Sequence, residues 1–380
     1  MIDSTGIVWI HCASLGEFEQ GRPLCEKLKQ RFPQCRILLT FFSPSGYEIR
    51  KDYKGADWVF YLPMDSLKNA RRLLQIVKPS LVIFVKYEFW YYYLRQLHEN
   101  KIPLLLVSAI FRKNSVFFRW YGGLQRRMLS YFDQLFVQDE ESRELLTQIG
   151  IHHTVVSGDT RFDRVMEIAG QFQPLPFIEE FVQSNPVIVA GSTWPQDEVV
   201  LQKSLRAIGD PALKLIIAPH EIKSGHIAHL QNLFPSALLL SQMNNTGPER
   251  MSTAAIRAAR VLIIDNIGLL SKLYNYATIS YIGGGFGKGI HNTLEAAVYG
   301  RPVLFGPEYQ KFREAVELVR LGGAIAVRNA TECSAALQKM LHDIEAYRRS
   351  CAIAKDYVSN NRGATEKVLD YIQEKRLLTN

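Results

Sequence analysis

Short apolar, β-branched runs alternate along the chain with longer stretches whose apolar positions recur every three to four residues. That alternation is the mark of βα units and predicts an α/β protein built on parallel sheets. In the first half the predicted strands are IVWIHC (7–12), RILLTFF (36–42), WVFYL (58–62), LVIFVKY (81–87), PLLLVSAI (103–110), QLFVQ (134–138) and TVVSG (154–158). Helical stretches such as DSLKNARRLLQIVKP lie between them. A Pro-containing stretch, GQFQPLP (170–176), reads as a linker, and the pattern then restarts with PVIVAGS, LKLIIAP, ALLLS, RVLIID, TISYIGG and RPVLFG. Two such halves predict two Rossmann-like domains facing across a cleft. The expected division is a domain over 1–169, the linker, a second domain over 177–355, and a C-terminal helix over 356–380 able to pack back on the first domain.

In doubly wound sheets ligands bind beyond the carboxyl ends of the strands, where loops and helix N-termini converge. That rule selects Ser14 to Glu17, Tyr87 and Glu88, Ser192 and Thr193, His220, Asp265, and the glycines after TISYI. The densest cluster is YIGGGFGKGIHNTLEAAVYGRPVLFGPEYQKFREA (281–315). Its glycines, Gly284 and Gly285 among them, let backbone approach a ligand, and N–H groups at the start of the next helix favour an anion such as phosphate. His291 and Asn292 can donate to phosphate oxygens there, and Glu295, about one turn on, can accept from a ribose diol. A tight turn with Asn292 as an N-cap is the simpler alternative. Lys288 is followed by Gly289, so this is no Walker loop, and no GxGxxG follows the first strand, which argues against a nicotinamide dehydrogenase.

The other positions also carry two readings. Ser192 and Thr193 either contact a phosphate or sugar or cap the helix that follows; His220 either meets a base or phosphate or is solvated. Glu17 and Glu88 each suit a first-turn acid that complements a helix dipole. Two acids at strand ends of one sheet can also converge, and a carboxylate so placed suits a general base for a hydroxyl nucleophile.

Composition narrows the class. At 380 residues, 47% hydrophobic and 22% charged, the chain can bury the cores of two domains. No apolar run spans a bilayer and no signal-peptide pattern opens the chain, so a soluble or peripheral protein is expected. Five cysteines without CxxC spacing argue against a disulfide framework and a zinc site, and no metal is expected. A net charge of +8 and a pI near 9.1 favour anionic partners: nucleic acid, acidic lipid or a phosphorylated substrate. The segment IFRKNSVFFRWYGGLQRRMLSYF (110–132) concentrates Arg112, Lys113, Arg119, Arg126 and Arg127 among aromatics including Trp120, with no acid. It reads as an interfacial helix meeting anionic lipid, as part of a nucleic-acid groove, or as a core helix with a solvated basic face.

Four stretches, HCASLGEFEQGRPL, GSTWPQDE, DNIGLLSKLYNYATISYIGGG and GIHNTLEAAVYGRPVLFGP, resemble in order and spacing the motifs of the 3-deoxy-D-manno-octulosonic acid (Kdo) transferases of lipid A assembly. The resemblance implies a GT-B fold, an acceptor-binding first domain and a donor-binding second one. It further implies CMP-Kdo as donor, a lipid A precursor as acceptor, and inverting transfer with no cofactor or catalytic metal. The setting would be the cytoplasmic face of the bacterial inner membrane, with its anionic surface as partner and no nucleic acid. Carried over by position, Glu17 is the catalytic base, Glu88 a second essential acid, and Asn292 and Glu295 nucleotide contacts. Ser192, Thr193, His220, Asp265, Gly268, Gly284, Gly285 and His291 complete the donor set. Arg112, Lys113, Arg119, Trp120, Arg126 and Arg127 form the acceptor or membrane surface, and Lys86 or Lys311 is placed to meet the Kdo carboxylate. The chain departs from the family where Pro-Arg-His is replaced by Ala218-Pro219-His220 and Gly-Glu-Leu by Gly268-Leu269-Leu270. Members also commonly begin with a hydrophobic anchor, whereas this chain starts almost at its first strand. Another GT-B enzyme such as a nucleotide-sugar epimerase is the alternative; a basic nucleic-acid-binding module leaves the glycine-rich loop unexplained.

Overall fold

The computed structural model describes residues 6–243 and 252–378. The expected outer domain limits, 1 and 380, lie outside the described residues. The chain divides into two compact units, Met1–Arg164 with Asn361–Asn380, and Val165–Asn360. The division falls inside the helix Thr160–Gly170, so the expected linker over 170–176 belongs to the second unit. The C-terminal segment that rejoins the first unit starts at 361 rather than 356, because the helix Ile344–Asn360 runs through that point unbroken.

The first unit holds seven strands: β1 (Ile7–His11), β2 (Arg36–Phe41), β3 (Trp58–Tyr61), β4 (Pro79–Val85), β5 (Leu104–Ala109), β6 (Gln134–Val137) and β7 (Thr154–Val156). Their order is β3-β2-β1-β4-β5-β6-β7 and every pairing is parallel. Central strands of such a sheet are covered on both faces, which is why β4 and β5 read as unbroken apolar runs. The helix Leu15–Arg31 lies on one face with Leu24 and Leu28 in the core. The last helix, Ala364–Glu374, shares that core through Val368, Leu369 and Ile372, each essentially fully buried and contributing roughly 1.5–3 kcal/mol by burial. Asp163 caps this helix by accepting from the backbone N–H of Gly363 at 2.5 Å and Thr365 at 2.7 Å.

The second unit repeats the plan with β8 (Val187–Thr193), β9 (Lys214–Pro219), β10 (Leu238–Leu239), β11 (Val261–Ile263), β12 (Ile279–Ile282), β13 (Val303–Phe305) and β14 (Ala324–Ala326), ordered β10-β11-β9-β8-β12-β13-β14. β14 has no strand signal of its own, since a short alanine-rich run carries little β preference; pairing with β13 makes it a strand. β10 is shorter than ALLLS suggests because the chain turns into the helix Leu240–Met243.

Strand order switches direction between β1 and β4 in the first sheet and between β8 and β12 in the second. At such a point neighbouring strands send their loops to opposite faces and leave a crevice between them. The register pairs His11 with Phe84 and Ile282 with Gly191, so the strand ends that bound each crevice lie level. This fold-level fact, invisible in the pattern of runs, ranks the loops after β1, β4, β8 and β12 above the others.

Candidate active site

The loop after β1 carries Glu17. Ser14 is the extended N-cap of the helix Leu15–Arg31, and the Ser-x-x-Glu spacing closes a capping box. Glu17 Oε2 accepts from the Ser14 N–H at 2.9 Å and the Ser14 hydroxyl at 3.2 Å. The capping reading is therefore fulfilled, yet it occupies one oxygen and leaves Oε1 uncommitted. Burial pushes the Glu17 carboxyl above the usual carboxylate range and the charge of Glu88 adds to it, while the Ser14 bonds and Lys86 pull the other way. A carboxylate with raised proton affinity and one uncommitted oxygen can take a proton from a hydroxyl.

Glu88 follows β4. It does not open the aromatic helix, which begins at Tyr91 with Trp90 as its N-cap. The carboxylate at that helix start is Asp65, which accepts from the N–H of Tyr92 at 3.1 Å and of Tyr93 at 3.2 Å. Glu88 is thereby released from the capping role its position suggested. It is 9% exposed, and its Oε2 accepts from Trp90 Nε1 at 2.5 Å and lies 3.2 Å from His11 Nε2. Both acids of the β1/β4 crevice are held in the same way, with one oxygen fixed by donors and the other without a hydrogen-bond partner among the described residues.

In the second unit the β8/β12 crevice is organised by Asp197, a residue sequence reasoning did not single out. Its Oδ2 accepts from the N–H of Gly284 and of Trp194, both at 2.9 Å, and its Oδ1 from the Tyr281 hydroxyl at 2.9 Å. Asp197 sits three residues after the N-cap Trp194, a capping-box spacing that could have revealed it. Neither Ser192 nor Thr193 caps this helix: the Thr193 hydroxyl is buried and donates to Glu198 Oε1 at 2.9 Å. Ser192 holds a left-handed backbone, φ 53°, where β8 bulges against β9.

The glycine loop serves close backbone packing first. A Cβ on Gly285 would meet Gly306 backbone atoms at 2.6 Å, and Gly284 has φ 93°. The helix after the loop is one turn, Leu294–Ala297, so its dipole is small and the expected helix-terminal phosphate site is not built. Asn292 lies just before the N-cap Thr293; it accepts from the Leu294 N–H at 3.2 Å and donates to Glu295 Oε1 at 3.0 Å. The backbone N–H groups of Phe286 and Lys288, by contrast, meet no protein acceptor among the described residues.

Those residues line a cavity of about 580 Å³ together with Trp194, Asp197, Gly289 and His291. The rings of Trp194 and His220 stack at 4.7 Å, and those of His220 and His291 at 4.4 Å. Trp194 Nε1 donates to His291 Nε2 at 3.3 Å, and burial with the neighbouring His220 lowers the His291 pKa to about 4. His291 is thus held uncharged at neutral pH where it lines the cavity beside the Trp194 indole. Asp265 and Gly268 are not among its lining residues: Asp265 accepts from the Ser241 N–H at 2.9 Å and hydroxyl at 2.5 Å, and Gly268 lies in an exposed loop with φ 97°. Among the described residues no group of His, Cys, Asp and Glu is arranged to hold a metal ion.

Residues 2–164 match the family model described as 3-deoxy-D-manno-octulosonic-acid transferase. The 3-deoxy-D-manno-octulosonic acid transferase of Rickettsia felis is 28% identical over 97% of this chain and 78% of its own length. That of Haemophilus influenzae is 25% identical over 96% and 86%, and that of Aquifex aeolicus 28% over 88% and 86%. The chain is similar to Kdo transferases over nearly its whole length. The protein is an enzyme, a glycosyltransferase. Among solved structures it is similar to the UDP-GlcNAc 2-epimerase of Neisseria meningitidis bound to UDP-GlcNAc, with a TM-score of 0.68 and 16% identity over 97% of this chain and all of that one. The UDP-bound MnaA of S. aureus is similar at a TM-score of 0.63 with 14% identity, covering 99% and 98%. These likenesses show the fold, the GT-B type of two Rossmann-like units.

The basic segment is not one helix. Gly122 and Gly123 break it into a 3-10 turn, Val116–Phe118, and a short helix, Gly123–Leu129. Arg126 is structural, donating to the carbonyls of Phe117 at 3.0 Å and Arg119 at 2.8 Å. Phe111 and Phe117 are buried, whereas Trp120 is 91% exposed, with Tyr121, Leu124, Arg112, Lys113, Arg119 and Arg127 also on the surface. Among the described residues no helix is long and apolar enough to cross a membrane.

Proposed function

We propose that the protein transfers Kdo from CMP-Kdo to a hydroxyl of a lipid A precursor in lipopolysaccharide biosynthesis, with inversion and without a metal, at the cytoplasmic face of the inner membrane, peripherally or through an anchor outside this sequence. The observation that carries the reading is the pair of acids at the β1/β4 switch point, with Glu17 raised in proton affinity and offering Oε1. Glu17 takes the proton of the acceptor hydroxyl as that oxygen forms a bond to the anomeric carbon of Kdo. The bond from that carbon to the phosphate oxygen breaks, and CMP leaves with the electron pair. Free N–H groups at Phe286 and Lys288 offer the phosphate the kind of backbone nest that binds anions, taking the place of the helix terminus expected from sequence. Lys86 or Lys311 meets the Kdo carboxylate.

Two observations favour a lipid acceptor. Trp120 and Tyr121 stand exposed among cations, as in a surface that rests on anionic headgroups. Phe42, 41% exposed, packs at 4.7 Å against Trp90, the indole that holds Glu88, so apolar surface continues up to the acids. The test is incubation with a lipid A precursor and CMP-Kdo generated in situ, followed by mass spectrometry. Product heavier by one or more Kdo units is expected, and a Glu17→Gln protein that still folds and binds CMP-Kdo loses roughly 100- to 10,000-fold in rate. No mass gain with active donor, or a wild-type rate for Glu17→Gln, overturns the reading.

A further inference from the structure

His11 is the last residue of β1, wholly buried, and has no part in the reaction as written above. Its Nδ1 lies 2.8 Å from the Thr40 hydroxyl and 3.1 Å from the Thr40 carbonyl, both on β2, and its Nε2 lies 3.2 Å from Glu88 Oε2. Trp9 Nε1 donates to the same Thr40 hydroxyl at 2.8 Å. An indole is a donor only, so it fills one of the two lone pairs of that oxygen, and the hydroxyl proton is available to go to His11 Nδ1. The imidazole proton then sits on Nε2, facing Glu88. A doubly protonated ring, giving Nδ1–H to the Thr40 carbonyl, also directs Nε2–H to Glu88. The remaining tautomer would set a bare Nε2 lone pair against Glu88 Oε2, an oxygen that already acts as acceptor for Trp90 Nε1.

We propose that His11 is a positioning residue for the transfer: its Nε2–H, backed by Thr40 and Trp9, holds Glu88 Oε2 so that Glu88 stays an oriented carboxylate with its other oxygen uncommitted. The chain of donors runs one way, from indole to hydroxyl to imidazole to carboxylate, and Trp90 closes the same oxygen from the other side at 2.5 Å. A buried network of this kind orients its members only when every link is satisfied. The inference rests on the reading of Glu17 and Glu88 as the reacting acids. Its consequence reaches Glu17, which is faced by Glu88, Lys86 and Ser14, with Cys12 and Tyr87 nearby. A Glu88 that loses its donor can turn away, and Glu17 then loses the nearby carboxylate that adds to its proton affinity.

Two substitutions separate this role from packing. In His11→Gln the amide nitrogen reaches the place of Nε2 and still donates to Glu88, whereas in His11→Asn it reaches only the place of Nδ1. With CMP-Kdo and lipid A precursor, His11→Asn should lose about 10- to 100-fold in kcat, the scale of one hydrogen bond to a charged group. KM for CMP-Kdo should hold, the acid limb of the pH–rate profile should move to lower pH, and His11→Gln should recover most of the rate. Equal losses in both variants with an unmoved acid limb would overturn the proposal. The second measurement is the imidazole nitrogen spectrum of the full-length protein, which should show Nε2–H in the wild type and a changed resonance in Glu88→Gln; a bare Nε2 overturns the proposal. If Glu88→Gln turns over at the wild-type rate while the Nε2–H signal is present, the role of Glu88 in the reaction fails and the hold of His11 on it stands.

Discussion

Replacing Asp197 separates the charge of the donor-side clamp from its hydrogen bonds. The fully buried carboxylate satisfies three donors, two backbone N–H groups from Gly284 and Trp194 and the Tyr281 hydroxyl, all at 2.9 Å. Asp197→Ala strands all three away from water. At about 1–3 kcal/mol for each stranded donor the loss is on the order of 3–9 kcal/mol before relaxation, against a total stability of roughly 5–15 kcal/mol for a domain. Asp197→Asn keeps the shape. Its carbonyl can accept from the two N–H groups, and its amide can donate to Tyr281, whose hydroxyl turns to accept. What the asparagine gives up is charge, and burial already works against that charge, holding the Asp197 carboxyl above its usual range. Asp197→Asn should therefore stay within about 1–2 kcal/mol of wild type while Asp197→Ala falls several kcal/mol below. Urea unfolding at constant m-value reads the difference, and CMP-Kdo binding should fail in Asp197→Ala because the Gly284 loop loses its anchor. Equal midpoints for the two variants, or an alanine variant within about 1 kcal/mol of wild type, would refute the claim that the hydrogen bonds outweigh the charge.

Two further outcomes follow from the geometry. Because the folded Glu17 carboxyl titrates above its unfolded value, its contribution to stability is present below the unfolded value near pH 4.3 and is lost as pH rises through the folded one. Glu17→Gln, which cannot ionise, should thus gain Tm relative to wild type as pH is raised from about 4 to 8, and wild-type activity should rise over the same limb; a Tm difference independent of pH refutes the shift. At the membrane surface, Trp120→Ser with Arg119→Ser should weaken sedimentation with phosphatidylglycerol vesicles by roughly 50-fold, combining one exposed aromatic with one cation. Thermal stability should stay within about 0.5 kcal/mol, since both side chains are exposed; unchanged vesicle binding removes this surface from the membrane reading.

Much of the architecture was legible in the alternation of runs, because a buried parallel strand must be apolar on both faces and its crossover helix on one. Thirteen of the fourteen strands carry that mark, and Ala324–Ala326 escapes because its strand character comes from pairing with β13. The sequence by itself also determined the family-like motifs, the acid in the first turn after β1, and the glycines that let the loop after β12 press against its neighbours. What it could not determine was which polar groups meet. Glu88 looked like a helix-capping acid until Asp65, distant in sequence, was seen to hold that helix. Asn292, Thr193 and Asp265 looked like ligand contacts, and the fold commits each to a protein partner. Asp197 and His11 looked like an ordinary first-turn acid and an ordinary strand residue. Only the tertiary structure set three donors on the first and threaded the second between Thr40 and Glu88. The reason is physical: burial and periodicity are properties of a segment, whereas a hydrogen bond is a property of a pair, and in a doubly wound sheet strand order brings the partners together.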